Sequence, residues 1–263
     1  MEDKVSIITP AYNSESYILE TIESVVNQTY QNWEMIIVDD CSNDNTRSII
    51  KNAMKDDKRI KLIPLDTNSG AAVARNTGLK ASKGRFIAYL DADDLWYPQK
   101  LEKQTSFMLE KKICFSCTSY EVIDNEGVDK GKYVYMKDSL NYQGFLTNNL
   151  IQTVGVMVDL SYISKDVLKM PNMRRRQDAA TWLQILKNGK KCYGITEVLA
   201  KYRRTDASLS SNKFKAVTGV WYLYRKVEKL PLWFALYCFG RYAFLAVWKR
   251  VYIKKMLRGE KDV

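Results

Sequence analysis

Three carboxylates stand within four residues at Asp91-Ala92-Asp93-Asp94, directly after the apolar run Phe86-Ile87-Ala88-Tyr89-Leu90. Like charges crowded at the end of a buried strand repel one another, so a cation or a set of donors must compensate them. A divalent ion such as Mg2+ or Mn2+ does this while also holding a phosphate, because such ions take one or two protein carboxylates and complete their shell with water and phosphate oxygens. A solvated acidic turn is the other reading of an isolated D-x-D-D. Two more polar clusters follow apolar runs in the same way: Thr9-Pro10-Ala11-Tyr12-Asn13 after Val5 to Ile8, and Asp39-Asp40 after Glu34-Met35-Ile36-Ile37-Val38. The chain contains no histidine, so proton transfer near neutral pH falls to a carboxylate.

The elements that must position these clusters are legible from periodicity. Tyr17, Ile18, Thr21, Ile22, Val25 and Val26 share a helical face. A second helix, with Asp44 or Asn45 as its N-cap, carries Ile49, Ile50, Ala53 and Met54. Ile60-Lys61-Leu62-Ile63-Pro64 reads as a third strand, and Asn68-Ser69-Gly70 opens a small-residue helix through Ala71, Ala72, Ala74 and Leu79. Strand and helix thus alternate four times, the pattern of βαβ units in a mostly parallel sheet. Ligands of such sheets sit beyond the carboxyl ends of the strands, so all three polar clusters are expected at one edge.

In order and spacing, VSIITPAYN, IIVDDCSND, NSGAAVARNTGL and FIAYLDADD resemble the family 2 glycosyltransferases of the GT-A fold, densely over residues 4–100 and more loosely to about 212. The resemblance implies an α/β, Rossmann-like, mostly parallel sheet flanked by helices. It also implies an inverting enzyme that moves a sugar from a UDP-sugar to a hydroxyl of a glycan acceptor. Pro10, Tyr12 and Asp39 match positions holding the base and ribose of the donor, with Asp39 accepting from the ring N–H of uracil. Asp40 is expected to accept from the amides at Cys41-Ser42. Arg75 matches an arginine near the nucleotide and phosphates, against the plainer reading of a surface helix cation. Asp93 matches the direct ligand of Mn2+ or Mg2+, Asp91 a ribose contact or a water-mediated ligand, and Asp94 a group behind the metal ligand or a turn cap. The general base matches Asp178, in Arg175-Arg176-Gln177-Asp178 at the start of an amphipathic helix, where aspartate is also a good capping residue. Gln177 departs from the family's commoner glutamate. In Lys201 to Ser210, Thr205 stands where relatives carry a basic residue, which leaves Arg203 or Arg204 to neutralise the diphosphate.

Length and charge complete the reading. The 263 residues are ample for one full core. Residues 1–212 are expected to form the catalytic domain, with a nucleotide-binding half over about 1–98 and an acceptor half over about 99–212; residues 213–263 form a helical, basic, membrane-associating extension. Residues 174–263 hold 21 Lys and Arg against 6 Asp and Glu. Within them Leu230 to Trp248 is almost wholly apolar, long enough for a membrane span. Pro231 and the central Arg241 oppose a span, since a mid-helix arginine costs about 2.5–3.5 kcal/mol on insertion scales. A helix lying in the interface is expected, with a helical hairpin packed on the domain as the alternative. Membrane contact suits an acceptor carried on a polyprenyl diphosphate in surface polysaccharide synthesis, at the inner face of the cell membrane. The five cysteines read as reduced thiols of a cytoplasmic protein, and Cys114-x-x-Cys117 lacks the second pair of a zinc knuckle; no signal peptide precedes the first strand. A nucleic-acid binder would explain the basic tail but leave acidic clusters facing phosphate, so no nucleic-acid partner is expected. A nucleotidyltransferase would carry a glycine-rich loop where Thr9 to Asn13 has none. A catalytically inactive nucleotide-sugar-binding relative is the remaining alternative.

Overall fold

A computed structural model describes residues 3–173, 175–204 and 213–259. The first half follows the alternation read from the sequence: β1 (Val5–Ala11), α1 (Ile18–Val26), β2 (Trp33–Asp39), α2 (Thr46–Asp56), β3 (Ile60–Pro64), α3 (Ala71–Ala81) and β4 (Phe86–Tyr89). β1 and β2 pair in parallel register from Val5↔Trp33 to Ala11↔Asp39, so both strands end at the same level. β3 joins β2, and β4 joins β1, also in parallel. Helix α3 approaches β1 closely at Gly78, where a Cβ would lie 2.7 Å from Ile8 Cγ2. Small residues on α3 serve that approach.

Beyond β4 the sheet departs from the mostly parallel expectation. The remaining elements are β5 (Leu95–Trp96), α4 (Lys100–Glu110), β6 (Phe115–Ile123), β7 (Asp129–Val134), β8 (Ser139–Leu140), α5 (Tyr142–Thr147), a 3-10 turn at Thr153–Gly155, β9 (Val156–Asp159), α6 (Gln177–Lys187) and β10 (Cys192–Arg203). The sheet order is β3-β2-β1-β4-β9-β6-β10-β5, with β7 and β8 pairing β6 and β10. β9 lies antiparallel between β4 and β6, whereas β10 runs parallel to β6. The α/β class therefore holds, with a parallel nucleotide-side half continued by a mixed half. β10 ends beside the Asp91–Asp94 loop and carries Arg203 to it.

Helix α6 keeps an exposed edge at Gln184 and Lys187, but eight of its eleven residues are buried. Its outer side is covered by α7 (Lys213–Tyr222), a π-helical turn at Leu223–Val227 and α8 (Leu232–Gly259). Trp182, Leu183 and Leu186 of α6 belong to one apolar cluster with Val220, Leu223, Tyr224, Ala235 and Cys238. Polar seams reinforce it: Tyr224 donates to the Leu146 carbonyl, Tyr142 donates to Glu228, and Lys187 pairs with Glu228. One face of α8 therefore packs on the body. The opposite face leaves Leu232, Trp233, Leu236, Tyr237 and Phe244 exposed, a stripe at helical spacing. Among the described residues no helix is long and apolar enough to cross a membrane. All five cysteines are free thiols, and Cys114 and Cys117 are buried in no metal-holding cluster among the described residues.

Candidate active site

The loops after β1 and β2 are tied together at the strand ends. Asp40 N–H donates to Ala11 O at 2.8 Å, Asn13 N–H to Ser42 Oγ at 2.9 Å, and Asn43 N–H to Asn13 Oδ1 at 2.9 Å. Asn13 and Cys41 take the left-handed backbone conformation, with φ of 47° and 65°. For Cys41 that conformation is strained, and it persists only because the surrounding bonds fix it. Asp44 caps α2 from outside by accepting from Thr46 N–H at 3.0 Å, although Asn45 occupies the N-cap position.

Asp39 is fully buried. Its Oδ2 accepts from Ser42 N–H at 3.2 Å and from Arg47 Nε, but its Oδ1 has no partner. A buried carboxylate oxygen without a donor is destabilising unless a ligand supplies one. Tyr12 lies exposed one residue beyond Ala11, the register partner of Asp39, and Pro10 sits opposite Val38. Asp40 plays the structural part expected of it with different amides. Its carboxylate receives Ser69 N–H at 2.7 Å and Gly70 N–H at 2.8 Å at the start of α3. Asp39 takes the Ser42 amide instead.

Arg75 is buried, which excludes the reading of a surface cation. Its Nη2 meets Asp91 Oδ1 at 2.5 Å, while its Nε and Nη1 are buried without partners. Burial alone would lower its pKa, but Asp91, and more weakly Asp178, carry it upward. The same guanidinium thus stands in the field of the Asp91 loop and of Asp178. At the start of α6, Asp178 is half-buried, and its Oδ2 accepts from Thr153 Oγ1 at 3.2 Å.

The Asp91–Asp94 loop is held from behind. Thr21 Oγ1 lies 3.0 Å from the carbonyls of both Ala92 and Asp94. Asp94 is buried and accepts the Arg203 amide at 2.8 Å, so it serves the turn. Burial, then repulsion from Asp91, pushes the Asp93 carboxyl up to about 6. Burial with repulsion from Asp93 and Asp91 pushes Asp94 well above the carboxylate range. Among the described residues no three His, Cys, Asp or Glu side chains converge as a closed metal cage. The donor set nonetheless fits an Mg2+- or Mn2+-type ion, which needs only one or two carboxylates beside phosphate and water. A cation there would relieve the mutual repulsion.

Arg203 corrects an expectation. Its guanidinium is buried and already committed: Nε to Asp93 O at 2.8 Å, Nη1 to Asn125 O at 2.8 Å, and Nη2 to Glu20 Oε2 at 2.6 Å, stacked over the Tyr17 ring at 4.8 Å. It fastens the acidic loop to α1 and to the turn after β6, a structural role where a phosphate contact was expected. Arg204 is exposed, and the expectation at Thr205 to Ser210 lies outside the described residues.

Sequence reasoning missed Arg47, Thr21, Glu20 and Thr153 as members of this constellation. Only Arg47 left a signal, since a cation in the first turn of a helix opposes the dipole and implies an anionic partner. Two open grooves of about 460 and 650 Å³ along α3 and α6 share no lining residue with these strand-end clusters.

Residues 6–168 match the family model described as glycosyl transferase family 2. The chain belongs to glycosyltransferase family 2. It is 47% identical over 247 residues to TuaG of Bacillus subtilis, a glycosyltransferase named for teichuronic acid biosynthesis, covering 94% of this chain and 97% of that protein. It is 42% identical over 218 residues to WfgD of Escherichia coli, named UDP-Glc:alpha-D-GlcNAc-diphosphoundecaprenol beta-1,3-glucosyltransferase, covering 82% and 83%. Among solved structures, S. aureus TarS 1–349 in complex with UDP-GlcNAc superposes with a TM-score of 0.70 at 17% identity, over 91% of this chain and 71% of that one. The mannosyltransferase PcManGT from Pyrobaculum calidifontis, in complex with GDP-Man and Mn2+, gives 0.67 at 16% identity, over 92% and 69%. At such identities the likeness shows the fold alone, which is GT-A.

Proposed function

We propose that this glycosyltransferase is an inverting, metal-dependent hexosyltransferase that moves a sugar from a UDP-sugar to a hydroxyl of a polyprenyl-diphosphate-linked glycan in surface polysaccharide synthesis. The observation that carries the donor reading is Asp39 Oδ1, a buried acceptor without a donor, one register step from the exposed Tyr12. The N3–H of uracil is the donor such an oxygen lacks, and the Tyr12 ring would flank the base. The names of TuaG and WfgD support the acceptor class, since one is named for teichuronic acid biosynthesis and the other for a diphosphoundecaprenol-linked sugar.

Asp93, with Asp91, would hold Mn2+ or Mg2+. When bound, the ion neutralises charge on the leaving diphosphate. Arg75 has two unpartnered nitrogens, Nε and Nη1, to offer phosphate oxygens, and the exposed Arg204, next in the chain after Arg203, is a further cation. Asp178 takes the proton of the acceptor hydroxyl as that oxygen attacks the anomeric carbon opposite the diphosphate. The bond from that carbon to the diphosphate oxygen breaks, UDP leaves, and the configuration inverts. The exposed aromatic stripe of α8 and the basic segment around it support residence on the inner face of the cell membrane. Free thiols at all five cysteines fit a reducing cytoplasm.

The test is incubation with Mn2+ and a panel of UDP-sugars in the presence of an undecaprenyl-diphosphate-linked GlcNAc acceptor, following UDP release. Wild type should release UDP only with metal, and Asp39→Ala should weaken UDP binding by calorimetry at least tenfold, a buried charge-assisted hydrogen bond being worth about 1.5–3 kcal/mol. Absence of UDP binding by the wild type would sink the proposal, whatever the acceptor.

A further inference from the structure

We propose that Thr153 is the positioning residue of the general base, fixing Asp178 so that its Oδ1 faces the acceptor hydroxyl. This inference rests on the reading of Asp178 as the base. Thr153 is almost fully buried, and its hydroxyl donates to Asp178 Oδ2 at 3.2 Å. Among the described residues no other hydrogen bond reaches that carboxylate, so Oδ1 is left to accept a proton.

A lone hydroxyl orients a carboxylate only if it is itself held, and the 3-10 turn around Thr153 is clamped. Trp96 Nε1–H, from β5, donates to Val154 O at 2.8 Å. Gln104 Nε2, from α4, donates to Gly155 O at 2.9 Å. Gly155 packs directly on β6, where a Cβ would stand 2.7 Å from Thr118 O and 2.9 Å from Cys117 Sγ. The turn is therefore fixed by three elements, β5, α4 and β6, and Thr153 transmits that rigidity to α6. Asp178 otherwise sits in the first turn of α6, behind an N-cap residue, Arg176, in the left-handed conformation at φ 62°. A helix start of that kind does not by itself select one aspartate rotamer. Misplacement of a reacting group by about 1 Å can reduce turnover on the order of 10²-fold, so the single bond that selects the rotamer acts on kcat.

The experiment compares Thr153→Val, Thr153→Ala, Thr153→Ser and Asp178→Asn in the full-length protein, measuring kcat, donor KM, UDP affinity and thermal unfolding with the UDP-sugar and acceptor that support wild-type turnover. Thr153→Val should lower kcat by about tenfold or more while donor KM and UDP affinity stay within about twofold. Thr153→Ser, which restores the hydroxyl, should recover most of kcat. In the Asp178→Asn background Thr153→Val should produce no further loss, because the two residues act as one unit. If Thr153→Val does not fold, Thr153→Ala carries the same comparison. A kcat within about twofold of wild type, a loss that serine does not rescue, or an equal loss in the Asp178→Asn background would overturn the proposal. If Asp178→Asn alone keeps more than about a tenth of turnover, the base reading itself fails; if that variant is inactive while Thr153→Val is not, only the positioning role falls.

Discussion

A guanidinium removed from water must find acceptors for its N–H groups or it destabilises the fold. Arg203 finds them in the carbonyls of Asp93, Asp124 and Asn125 and in Glu20. Arg203→Met should therefore lower stability on the order of 3 kcal/mol, the low end for breaking a buried pair because Glu20 is half exposed. It should also raise the Mn2+ concentration needed for half-maximal turnover, since the Asp93 carbonyl is released. Asp93→Ala should instead abolish turnover, as chelator should, with little change in the unfolding temperature. Unfolding scans beside Mn2+ titrations separate the two, and full activity of Asp93→Ala in excess EDTA would exclude Asp93 as a ligand. The different parts of these two residues were unequally legible. Asp93 belongs to a local motif whose spacing carries its chemistry. Arg203 lies 110 residues from the carbonyl it holds, and nothing near it in the chain tells a phosphate ligand from a fastener. The reading of Asp39 as a base contact comes from its motif, whereas its partner Arg47 and its unpartnered Oδ1 emerge only from burial.

At the scale of elements, the first four strands obey local periodicity, so their alternation with helices and the gathering of their loops at one edge could be read directly. The insertion of β9 between β4 and β6 could not, because a four-residue apolar strand carries no sign of its neighbours. Helix α4 holds a feature that sequence would place on the surface. Lys100 is fully buried at its start, its Nζ without a hydrogen-bond partner and 3.7 Å from the Trp96 ring centroid. Burial pushes its ammonium down to about 7, whereas an unfolded chain keeps that proton to about pH 10.4. The unfolded state therefore binds more protons between these values, and the fold loses stability as pH falls from about 10 to 7, with no further loss from this group below that. Lys100→Met should be more stable than wild type at pH 7 by up to a few kcal/mol, the attraction to Trp96 offsetting part of the gain. The difference should shrink toward pH 10. A constant difference in denaturant midpoints across that range would mean that Lys100 is not a buried, neutral-favouring amine.

At the scale of the molecule, charge and exposed apolar surface gather at the C-terminal end. Ala235 and Cys238 of α8 are buried in the apolar cluster that includes Trp182, so removing everything after Lys229 would open that cluster as well as delete the exposed stripe. Substitution of the outward face is the cleaner test. The wild type should sediment with anionic vesicles and be partly released by high salt, since Lys and Arg contribute about 1 kcal/mol each near such a surface. Trp233→Ser combined with Tyr237→Ser should weaken that binding severalfold without changing UDP affinity. Indifference of the wild type to vesicles would remove the membrane from the proposal. The sequence reading offered an interfacial helix and a packed hairpin as alternatives. The two faces of α8 are compatible with both at once, a combination hidden until Ala235 and Cys238 were seen to point inward.

The placement of β9 also orders the events of biosynthesis. A ribosome adds roughly 5–20 residues per second, so β1 to β4 leave it with all their parallel partners already made. β6 pairs early with β7 but reaches β4 only through β9, so the free edge of β4 stays open until residue 159 has emerged. Arg203 arrives later still, at the last residue of β10. A nascent chain therefore builds the Asp39 end of the cleft well before the Asp91–Asp94 loop is fastened. Ribosome-bound chains halted between β4 and β10 should capture UDP before any of them can transfer a sugar.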